Sequence, residues 1–332
     1  MRILQLLSCL LFFYCFSVNA NHANTLTIYT YDSFVSDWGP GPIIKKKFED
    51  KFKIHLEFIT VDSAATLLTK VILEGSSTKA DIVLGLDMNL LDEANKSNLF
   101  FKHSLKHLIN IIDLPIEWES ENFVPYNYGY FAFVYNNKKF TNSPPKSMEE
   151  LINNTDARIV IQDPRTSTPG LGLLTWIKVI YGNKAEDAWK KLNKKIISVT
   201  KGWTDAYYNI FMAGEADMVL SYTTSPVAHI MFENSNDYSA INFNEGNYIT
   251  IEFAGILKSS NNKSLANKFL RFMLTEDFQS IIPSTNIMYP VIKINNLPEV
   301  YKSLEIPKAL QIDPSIIKSN KQIWIEEWLN AS

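Results

Sequence analysis

Cysteine is almost missing from this sequence of 332 residues, and the two that occur, Cys9 and Cys15, both lie in an apolar N-terminal stretch. The rest of the chain therefore offers no thiol nucleophile, no disulfide and no thiolate ligand for a metal. A large excess of one sign of charge is also missing, because 32 lysines and arginines stand against 35 aspartates and glutamates. The formal net charge is only -3, which leaves no electrostatic footprint for nucleic acid. A G-x-S-x-G motif is absent as well, so a serine hydrolase finds no support.

A long apolar run occurs only near the N-terminus, where it follows Arg2. Small residues then occupy the positions that specify cleavage, so residues 1–20 are predicted to be a secretory signal peptide cut after Ala20, with Ala23 as an alternative site. A lipoprotein attached through Cys9 is a second alternative, although little apolar sequence precedes that cysteine. We expect the mature protein to be exported to the periplasm and to be soluble there.

Strand-like and helical patterns alternate in the first part of the mature chain. They predict strands at Thr25–Tyr31, Ile54–Thr60 and Ala80–Gly85, and helices at Pro42–Phe52 and Ala64–Leu73. This β-α-β-α-β order predicts a parallel sheet with helices on both faces. Ligands of such sheets bind beyond the carboxyl ends of the strands. Those ends carry Tyr31-Asp32, Asp62-Ser63 and Leu86-Asp87.

Two long strands are predicted later in the chain, at residues 126–135 and 247–257. Each is long enough to cross between two lobes. We therefore expect an α/β fold of two lobes, each a mostly parallel sheet flanked by helices, with a ligand site between them. The predicted first lobe is residues 21–125 with about 250–290, the second is about 136–246, and residues 291–332 form a C-terminal helical segment that is assigned to neither lobe.

Hydroxyl-rich turns follow two of the later apolar strands. Residues 162–170, QDPRTSTPG, precede a helical pattern, and residues 221–226, SYTTSP, follow another apolar run. Serine and threonine are natural helix caps, and proline suits the first position of a helix. The free N–H groups at such a helix start can bind an anion. Two such helix starts that point toward the same place indicate a binding cleft. The simpler interpretation is that the two helices are well capped and bind no ligand.

Further motifs support a more specific interpretation. They are TYDSFVSDWGPGP at residues 30–42, KADIVLGLD at 79–87, FVPYNYGYFAFVY at 123–135, QDPRTSTPGLGLL at 162–174, VTKGW at 199–203, VLSYTTSP at 219–226 and MYPV at 288–291. Each motif is modest alone, but together they cover nearly the whole mature chain in a consistent order. In these motifs the sequence resembles the periplasmic thiamine-binding proteins of bacterial ABC importers, which have the type II periplasmic binding fold.

The resemblance implies a receptor that captures thiamine, thiamine monophosphate and thiamine diphosphate, and hands them to an ABC transporter permease. It implies no enzymatic activity, no cofactor, no metal, no nucleic acid partner and a monomeric state. The ligand contacts of the family map here to Ser63, Ala64, Ser167, Thr168, Trp203, Tyr222, Thr223, Thr224 and Ser225, and the matching first-lobe loop adds Tyr31, Asp32 and Trp38.

These residue types suit the chemistry of thiamine, which carries a permanently cationic thiazolium and an aminopyrimidine. Trp203, Tyr31 and Tyr222 would supply aromatic faces for the cation, and Asp32 would accept a hydrogen bond from the exocyclic amine. Arg165 is either a charge partner for a phosphate ester or a structural salt-bridge residue. The neutral donors expected for a phosphate are Ser63, Ser167, Thr168, Thr223 and Ser225.

Two positions depart from the family pattern. The chain has Ala228 where the family can have a tyrosine, and Ile287 where it can have a tryptophan. Both changes remove stacking surface, so they bear on the affinity and on the preferred form of thiamine.

A ferric-ion receptor of the same fold class is the main alternative. Such receptors use adjacent tyrosines, and Tyr207 and Tyr208 are adjacent here. They also need a histidine from the first lobe, where His55 is the nearest candidate, although it falls inside a predicted strand. Because neighbouring residues on a helix point about 100° apart, one of the two tyrosines is expected in the core.

An enzyme is the second alternative. Thiaminases share this architecture but use a cysteine, which the predicted mature chain lacks. His229 is expected either to face the cleft or to be a hydrogen-bonded helix residue. His103 and His107 have the spacing of a metal-binding helix face, but without a glutamate between them an exposed helix face is the expectation.

Overall fold

Two long β-strands connect the halves of the molecule and set its architecture. The structure is a computed structural model, and it describes residues 24–140, 143–154 and 156–331. The predicted signal peptide, residues 1–20, lies outside the described residues and stays a prediction. Within these ranges no helix is both long and apolar enough to cross a membrane.

The strands belong to one continuous mixed sheet. In chain order they are β1 Thr25–Tyr31, β2 His55–Val61, β3 Ile82–Asp87, β4 Phe100–Phe101, β5 Phe123–Asn136, β6 Ile159–Gln162, β7 Ile196–Thr200, β8 Met218–Tyr222, β9 Tyr238–Ala240, β10 Asn247–Leu257, β11 Tyr289–Pro290 and β12 Ala309–Leu310. Their order across the sheet is β2-β1-β3-β10-β5-β8-β6-β7, and the short strands β4, β9, β11 and β12 pair with β5 or β10. We call β2, β1 and β3 the first strand group, and β8, β6 and β7 the second strand group.

Helices connect and cover these strands. In chain order they are α1 Asp32–Val35, α2 Gly41–Phe52, α3 Ala64–Glu74, α4 Leu91–Lys96, α5 Met148–Asn154, α6 Thr168–Tyr181, α7 Ala185–Leu192, α8 Ser225–Glu233, α9 Lys263–Met273, α10 Glu276–Gln279, α11 Ile282–Thr285, α12 Glu299–Lys302 and α13 Pro314–Asn330. A π-helical segment, Asp205–Phe211, follows β7. Such segments often occur at functional sites, because the wider turn redirects side chains.

The first strand group confirms the predicted parallel β-α-β-α-β arrangement. Strand β1 pairs in parallel with both β2 and β3. Leu26 and Ile28 of β1 are fully buried, as the alternating pattern predicts. Helix α3 begins where the Ser63 hydroxyl accepts a hydrogen bond from Thr66 N, at 3.2 Å, and it ends at Gly75, whose φ of 54° suits glycine. The carboxyl ends of β1, β2 and β3 therefore lie at one edge of the sheet.

Strand β5 belongs to both halves of the sheet. Its residues from Phe123 to Tyr130 pair antiparallel with β10, and its residues from Phe131 to Tyr135 pair antiparallel with β8. The two predicted crossing strands are thus β5 and β10, and they lie side by side at the centre. The predicted lobe boundaries themselves stay a prediction.

The C-terminal helix α13, which was assigned to neither lobe, contacts elements on both sides. It packs against α4, which follows β3, and against α6 and α7, which belong with the second strand group. Lys321 Nζ lies 3.1 Å from the carboxylate of Glu93 on α4, and Lys178 Nζ on α6 lies 2.6 Å from Glu327 of α13. Helix α13 therefore bridges the two halves on the face that it covers.

Candidate ligand-binding cleft

A cleft of about 750 Å³ opens at the carboxyl ends of the strands, a size typical of small-molecule sites. Its wall brings together residues that are more than two hundred positions apart in the sequence. Thr223 and Thr224 are buried and do not line it, so their role as ligand contacts stays a prediction. The predicted contacts that do line the cleft are Tyr31, Asp32, Trp38, Ser63, Ala64, Ser167, Thr168, Trp203, Tyr222 and Ser225.

Two contacts cross the cleft from one strand group to the other. Thr168 Oγ1, at the start of α6, donates a hydrogen bond of 2.8 Å to Asp87 Oδ2, at the end of β3. Lys201 Nζ, after β7, forms an ion pair with Asp62, after β2. Asp87, the acceptor of the hydrogen bond, is buried, whereas the Lys201–Asp62 ion pair is exposed to solvent. The hydrogen bond is therefore the stronger link, because screening weakens exposed ion pairs.

A hydrogen-bond chain orients the indole of Trp203. Trp203 Nε1 donates to Ser221 Oγ at 2.8 Å, and Ser221 Oγ lies 2.7 Å from Ser225 Oγ. Ser225 Oγ also accepts from Tyr222 N at 3.2 Å. One face of the indole stacks on Tyr207, with 4.9 Å between ring centroids and 28° between planes. The ring is thus fixed at its nitrogen and supported on one side before any ligand arrives.

The predicted hydroxyl donors are mostly engaged within the protein. Ser63 caps α3, Thr168 donates to Asp87, and Ser225 bonds to Ser221. Ser167 and Thr223 differ, because neither hydroxyl has a hydrogen-bond partner among the described residues. Of these two, Ser167 lines the cleft, although it is only 5% exposed, and Thr223 does not. Ser167 therefore offers a free hydroxyl to the cleft, next to the N–H groups at the start of α6.

Helix α6 starts slightly differently from the prediction. Thr168 is its first residue, so Pro169 occupies the second position and not the first. Ser167 holds the capping position with extended backbone, but the Thr168 hydroxyl bonds to Asp87, far away in sequence, and caps nothing. A long-range contact has replaced the local capping bond that the pattern predicted.

Glu252 lines the cleft and was missed by the sequence analysis. Its Oε2 accepts three hydrogen bonds, from Tyr126 Oη at 2.6 Å, Asn127 Nδ2 at 2.7 Å and Tyr31 Oη at 2.9 Å. Burial raises the pKa of this carboxyl group, against the lowering effect of these donors. The available signal was that Glu252 is the single charged residue in the mostly apolar strand β10.

Tyr222 lies close to this carboxylate. Burial raises the pKa of the Tyr222 phenol well above its ordinary range, and the charges of Glu252 and Asp87 raise it further. Gly85 lies against the ring of Tyr31, and a Cβ at this position would lie 2.5 Å from that ring. Its φ of +105° also favours glycine. The floor of the cleft is therefore a tyrosine-rich surface with negative charge and a close backbone approach.

Tyr207 and Tyr208 both line the cleft, but they have different environments. Tyr207 is 3% exposed, and its hydroxyl lies 2.9 Å from Nε2 of His229, whose Nδ1 lies 2.9 Å from Glu233. Tyr208 is 46% exposed. One tyrosine of the pair is thus core, as predicted. His55 pairs with Glu49 and does not line the cleft.

The other candidates have structural partners. Arg165 does not line the cleft and forms an ion pair with Asp163.

His103 lies before the 3-10 helix Lys106–Ile111, and its ring nitrogen lies 3.1 Å from the carbonyl of Ser120. The expected helix face of His103 and His107 is therefore wrong, because the helix starts between them. In the described ranges no group of three His, Cys, Asp or Glu side chains is placed to hold a metal.

Both departures from the family pattern lie at the cleft. Ala228 and Ile287 are part of its lining. Ile287 has a φ of 53°, a left-handed conformation that is strained for a β-branched residue. Both positions therefore lie where a ligand would bind, and their effect on ligand affinity stays a prediction.

Comparison with known proteins agrees with this fold and cleft. A family model described as bacterial extracellular solute-binding protein matches residues 77–318. The chain therefore belongs to this family of solute-binding receptors, and the predicted type II periplasmic binding fold is confirmed.

Relatives at higher identity define the group more narrowly. The thiamine-binding periplasmic protein of Escherichia coli K12 is 47% identical over 308 residues, covering 92% of this chain and 93% of the relative. The protein of the same name from Brucella melitensis is 46% identical over 336 residues, covering 100% of this chain and 99% of the relative. Within the family, the chain belongs to the thiamine-binding periplasmic proteins, and its predicted periplasmic location is confirmed.

Solved structures give the same grouping. A structure described as periplasmic thiamin binding protein has a TM-score of 0.88 and 47% identity, covering 92% of this chain and 96% of that chain. A ferric binding protein from Campylobacter jejuni has a TM-score of 0.77 at 24% identity, covering 92% and 99%, and this similarity shows the fold alone.

Proposed function

We propose that this protein binds thiamine, thiamine monophosphate and thiamine diphosphate in the cleft and delivers them to the permease of an ABC importer. The observation that carries the proposal is the oriented indole of Trp203, which shares one cleft with Tyr222 and with the free hydroxyl of Ser167. The names of the relatives at 46–47% identity support thiamine itself as a ligand. The receptor works as a monomer, without a cofactor.

Aromatic and acidic groups serve the ring system of thiamine. Trp203 is fixed by Ser221 and backed by Tyr207, so it presents an indole whose orientation costs little entropy on binding. A cation–π contact with such a ring contributes about 0.5–2 kcal/mol. Tyr31 and Tyr222 line the same cleft. Asp32 lies at its exposed margin, where it accepts from a ligand amine.

The start of α6 serves the phosphate of the esters. Ser167 supplies a free hydroxyl, and the N–H groups of the first helical turn lie behind it. Helix N-termini favour anions through these donors and through the helix dipole. Among the described residues, Lys201 is the single lysine or arginine that lines the cleft, and it is paired with Asp62. Phosphate is therefore held mainly by neutral donors.

Ligand binding favours the closed form of a two-lobed receptor. Residues 21–125 with about 250–290 form one lobe and about 136–246 form the other, with crossings at 126–135 and 247–257. A ligand closes the cleft only when it contacts both sides. Tyr31 and Ser63 follow strands of the first group, whereas Ser167, Trp203 and Tyr222 belong to the second. The permease then recognises the closed shape.

The proposed role is transport without chemistry. The cleft lacks the cysteine that a thiaminase mechanism needs, because the two cysteines of the sequence lie in the predicted signal peptide. A ferric site is less supported, since the Tyr207 hydroxyl is already bonded to His229 and His55 lies outside the cleft.

Calorimetric titration tests the proposal directly. The mature protein is unfolded, dialysed to remove any co-purified ligand, refolded, and titrated with each of the three thiamine forms. Submicromolar binding of any form supports the proposed function. Ferric citrate is added to a second sample, where a visible charge-transfer band without thiamine binding would establish the iron alternative in its place.

A further inference from the structure

Glu252 has two carboxylate oxygens with different surroundings. All three of its hydrogen bonds, from Tyr31, Tyr126 and Asn127, go to Oε2. No described residue donates to Oε1, although the side chain lines the cleft. The donors come from β1 and β5, on either side of β10 and β3 in the sheet, so they fix the carboxylate plane from several directions. One oxygen is thus saturated and the other is left for a ligand.

The charge of this carboxylate is not neutralised within the described structure. Glu252 forms no ion pair with a described lysine or arginine. The charge of Lys321 acts on Asp87, the acidic neighbour of Glu252, without forming an ion pair, and Lys201, the single described lysine or arginine that lines the cleft, is paired with Asp62. A partly buried charge without a counter-ion carries a desolvation cost. That cost is recovered when a cation binds next to it.

The geometry points to Glu252 as an acidic anchor at the floor of the cleft, which contacts the cationic ring system of the ligand through Oε1 and selects positively charged ligands. This inference rests on the proposed function and names the chemical group that the site requires. An organic cation fits this floor because Tyr31, which bonds to the carboxylate, and Tyr222, whose phenol is close enough to be influenced by its charge, both line the cleft and offer aromatic faces. A neutral ring of the same shape would make the same stacking contacts but would leave Oε1 without a partner.

The arrangement also gives the ligand a direction. Glu252 lies midway along β10 and pairs with Asp87 at the carboxyl end of β3, whereas the free hydroxyl of Ser167 lies at the start of α6, on the side of the second strand group. Negative charge at the floor repels a phosphate, and the helix N-terminus attracts it. The cationic part is therefore directed to Glu252 and the phosphate ester to Ser167.

A comparison of two ligands on matched proteins tests the anchor. The ligands are thiamine and its neutral isostere, in which a thiophene replaces the thiazolium and the substituents are retained. The proteins are the wild type, Glu252→Gln, and Asp205→Asn as the control. Asp205 lies in the exposed part of the cleft lining and bonds to Asn209, so the control removes one negative charge without touching the floor.

We expect the wild type to bind thiamine at least about thirtyfold more tightly than the neutral isostere, because removing one partner of a desolvated charge pair has effects of this size. In Glu252→Gln, thiamine binding weakens to about the level of the isostere, while binding of the isostere changes less than about threefold. Asp205→Asn keeps the preference for thiamine. This pattern separates a charge contact from a structural role, which would weaken both ligands equally.

Three results would overturn the inference. The first is a folded Glu252→Gln variant that retains the full preference for thiamine. The second is a Glu252→Gln variant whose affinity for both ligands falls by the same factor. The third is equal binding of the two ligands by the wild type, which decides the matter even when the variant does not fold. Failure of the wild type to bind thiamine at all is a different result, because it contradicts the proposed function itself.

Discussion

Thr168 and Asp87 are 81 positions apart in the sequence, and a hydrogen bond of 2.8 Å joins their side chains across the cleft. Thr168 starts a helix of the second strand group, and Asp87 ends β3 of the first. The bond therefore links the two strand groups, which are the two sides that separate in the proposed opening of the cleft. Asp87 is 1% exposed, and its other oxygen accepts from Asn89 N, so the link has a fixed acceptor.

Replacing Thr168 by valine keeps its shape and removes the hydroxyl. A hydrogen bond to a charged group contributes about 1.5–3 kcal/mol, so the closed form should lose roughly tenfold or more in population relative to the open form. We expect a larger radius of gyration by small-angle X-ray scattering without ligand, and weaker thiamine binding.

Thr166→Val is the matched control for that change. The Thr166 hydroxyl donates to the carbonyl of Lys201 at 2.7 Å, a bond within the second strand group. Its loss should leave the radius of gyration unchanged. Identical scattering curves for wild type, Thr168→Val and Thr166→Val would show that the Thr168–Asp87 bond does not hold the cleft closed.

Trp203 and Ser221 should act on binding as one unit. Trp203→Ala removes the aromatic face and is expected to weaken thiamine binding by about tenfold or more. Ser221→Ala leaves the indole without its acceptor, so a smaller loss of roughly threefold to tenfold is expected. In the double variant the loss should be no greater than in Trp203→Ala alone, because Ser221 acts only through the indole. Additive losses in calorimetry would show that Ser221 contributes separately.

Ile287 offers a test in the direction of tighter binding. Ile287→Trp restores the aromatic residue that the family can have at this position of the cleft lining. An added aromatic contact contributes about 0.5–1.5 kcal/mol, so thiamine should bind roughly two- to tenfold more tightly. Ile287→Leu adds no ring and should behave like the wild type. Weaker binding by the tryptophan variant would mean that the site has adapted to a smaller side chain.

Glu252 should lower the stability of the ligand-free protein at neutral pH. Its folded-state pKa is raised above the ordinary value of about 4.3, so its favourable contribution is present below that pH and is lost as the pH rises through the folded-state pKa. Glu252→Gln does not ionise. The variant should therefore gain melting temperature relative to the wild type between about pH 4 and about pH 8.

The other titratable groups around Glu252 stay in place in that comparison. They are Tyr31 on β1, Asp87 on β3, Tyr126 on β5 and Tyr222 on β8, and the phenols have pKa values that are raised well above the range used. Burial also raises the pKa of Asp87. Because Asp87 is present in both proteins, its effect on the difference in melting temperature cancels to first order. A difference in melting temperature that is independent of pH would contradict the assignment to Glu252.

Local patterns predicted the elements of the first strand group well. Strand β1 runs from Thr25 to Tyr31 as predicted, because at its start buried residues (Leu26 and Ile28) alternate with partly buried ones (Thr25 and Thr27). The parallel order and the two long central strands also followed from the pattern. Periodicity within a segment carries this information, since each strand must bury its own apolar residues.

The details of the cleft depend on contacts that no local pattern contains. The Thr168 hydroxyl bonds to Asp87 and not to its own helix, and the Ser225 hydroxyl is used to hold Ser221 and Trp203. Glu252 was passed over because the strand around it fitted a crossing between lobes. A single carboxylate in a buried strand is a signal in the sequence. Its partners Tyr31 and Tyr126 lie on other strands, so the local pattern does not reveal them.

Native mass spectrometry of the protein purified from periplasmic extract, without refolding, tests the central claim most directly. The account predicts a bound species with the mass of thiamine or one of its phosphate esters, one per monomer. Its occupancy should be lower in Trp203→Ala than in the wild type, and it should reappear in the refolded wild type when thiamine is added. A bound ferric ion, or a refolded wild type that takes up no thiamine form, would contradict the account.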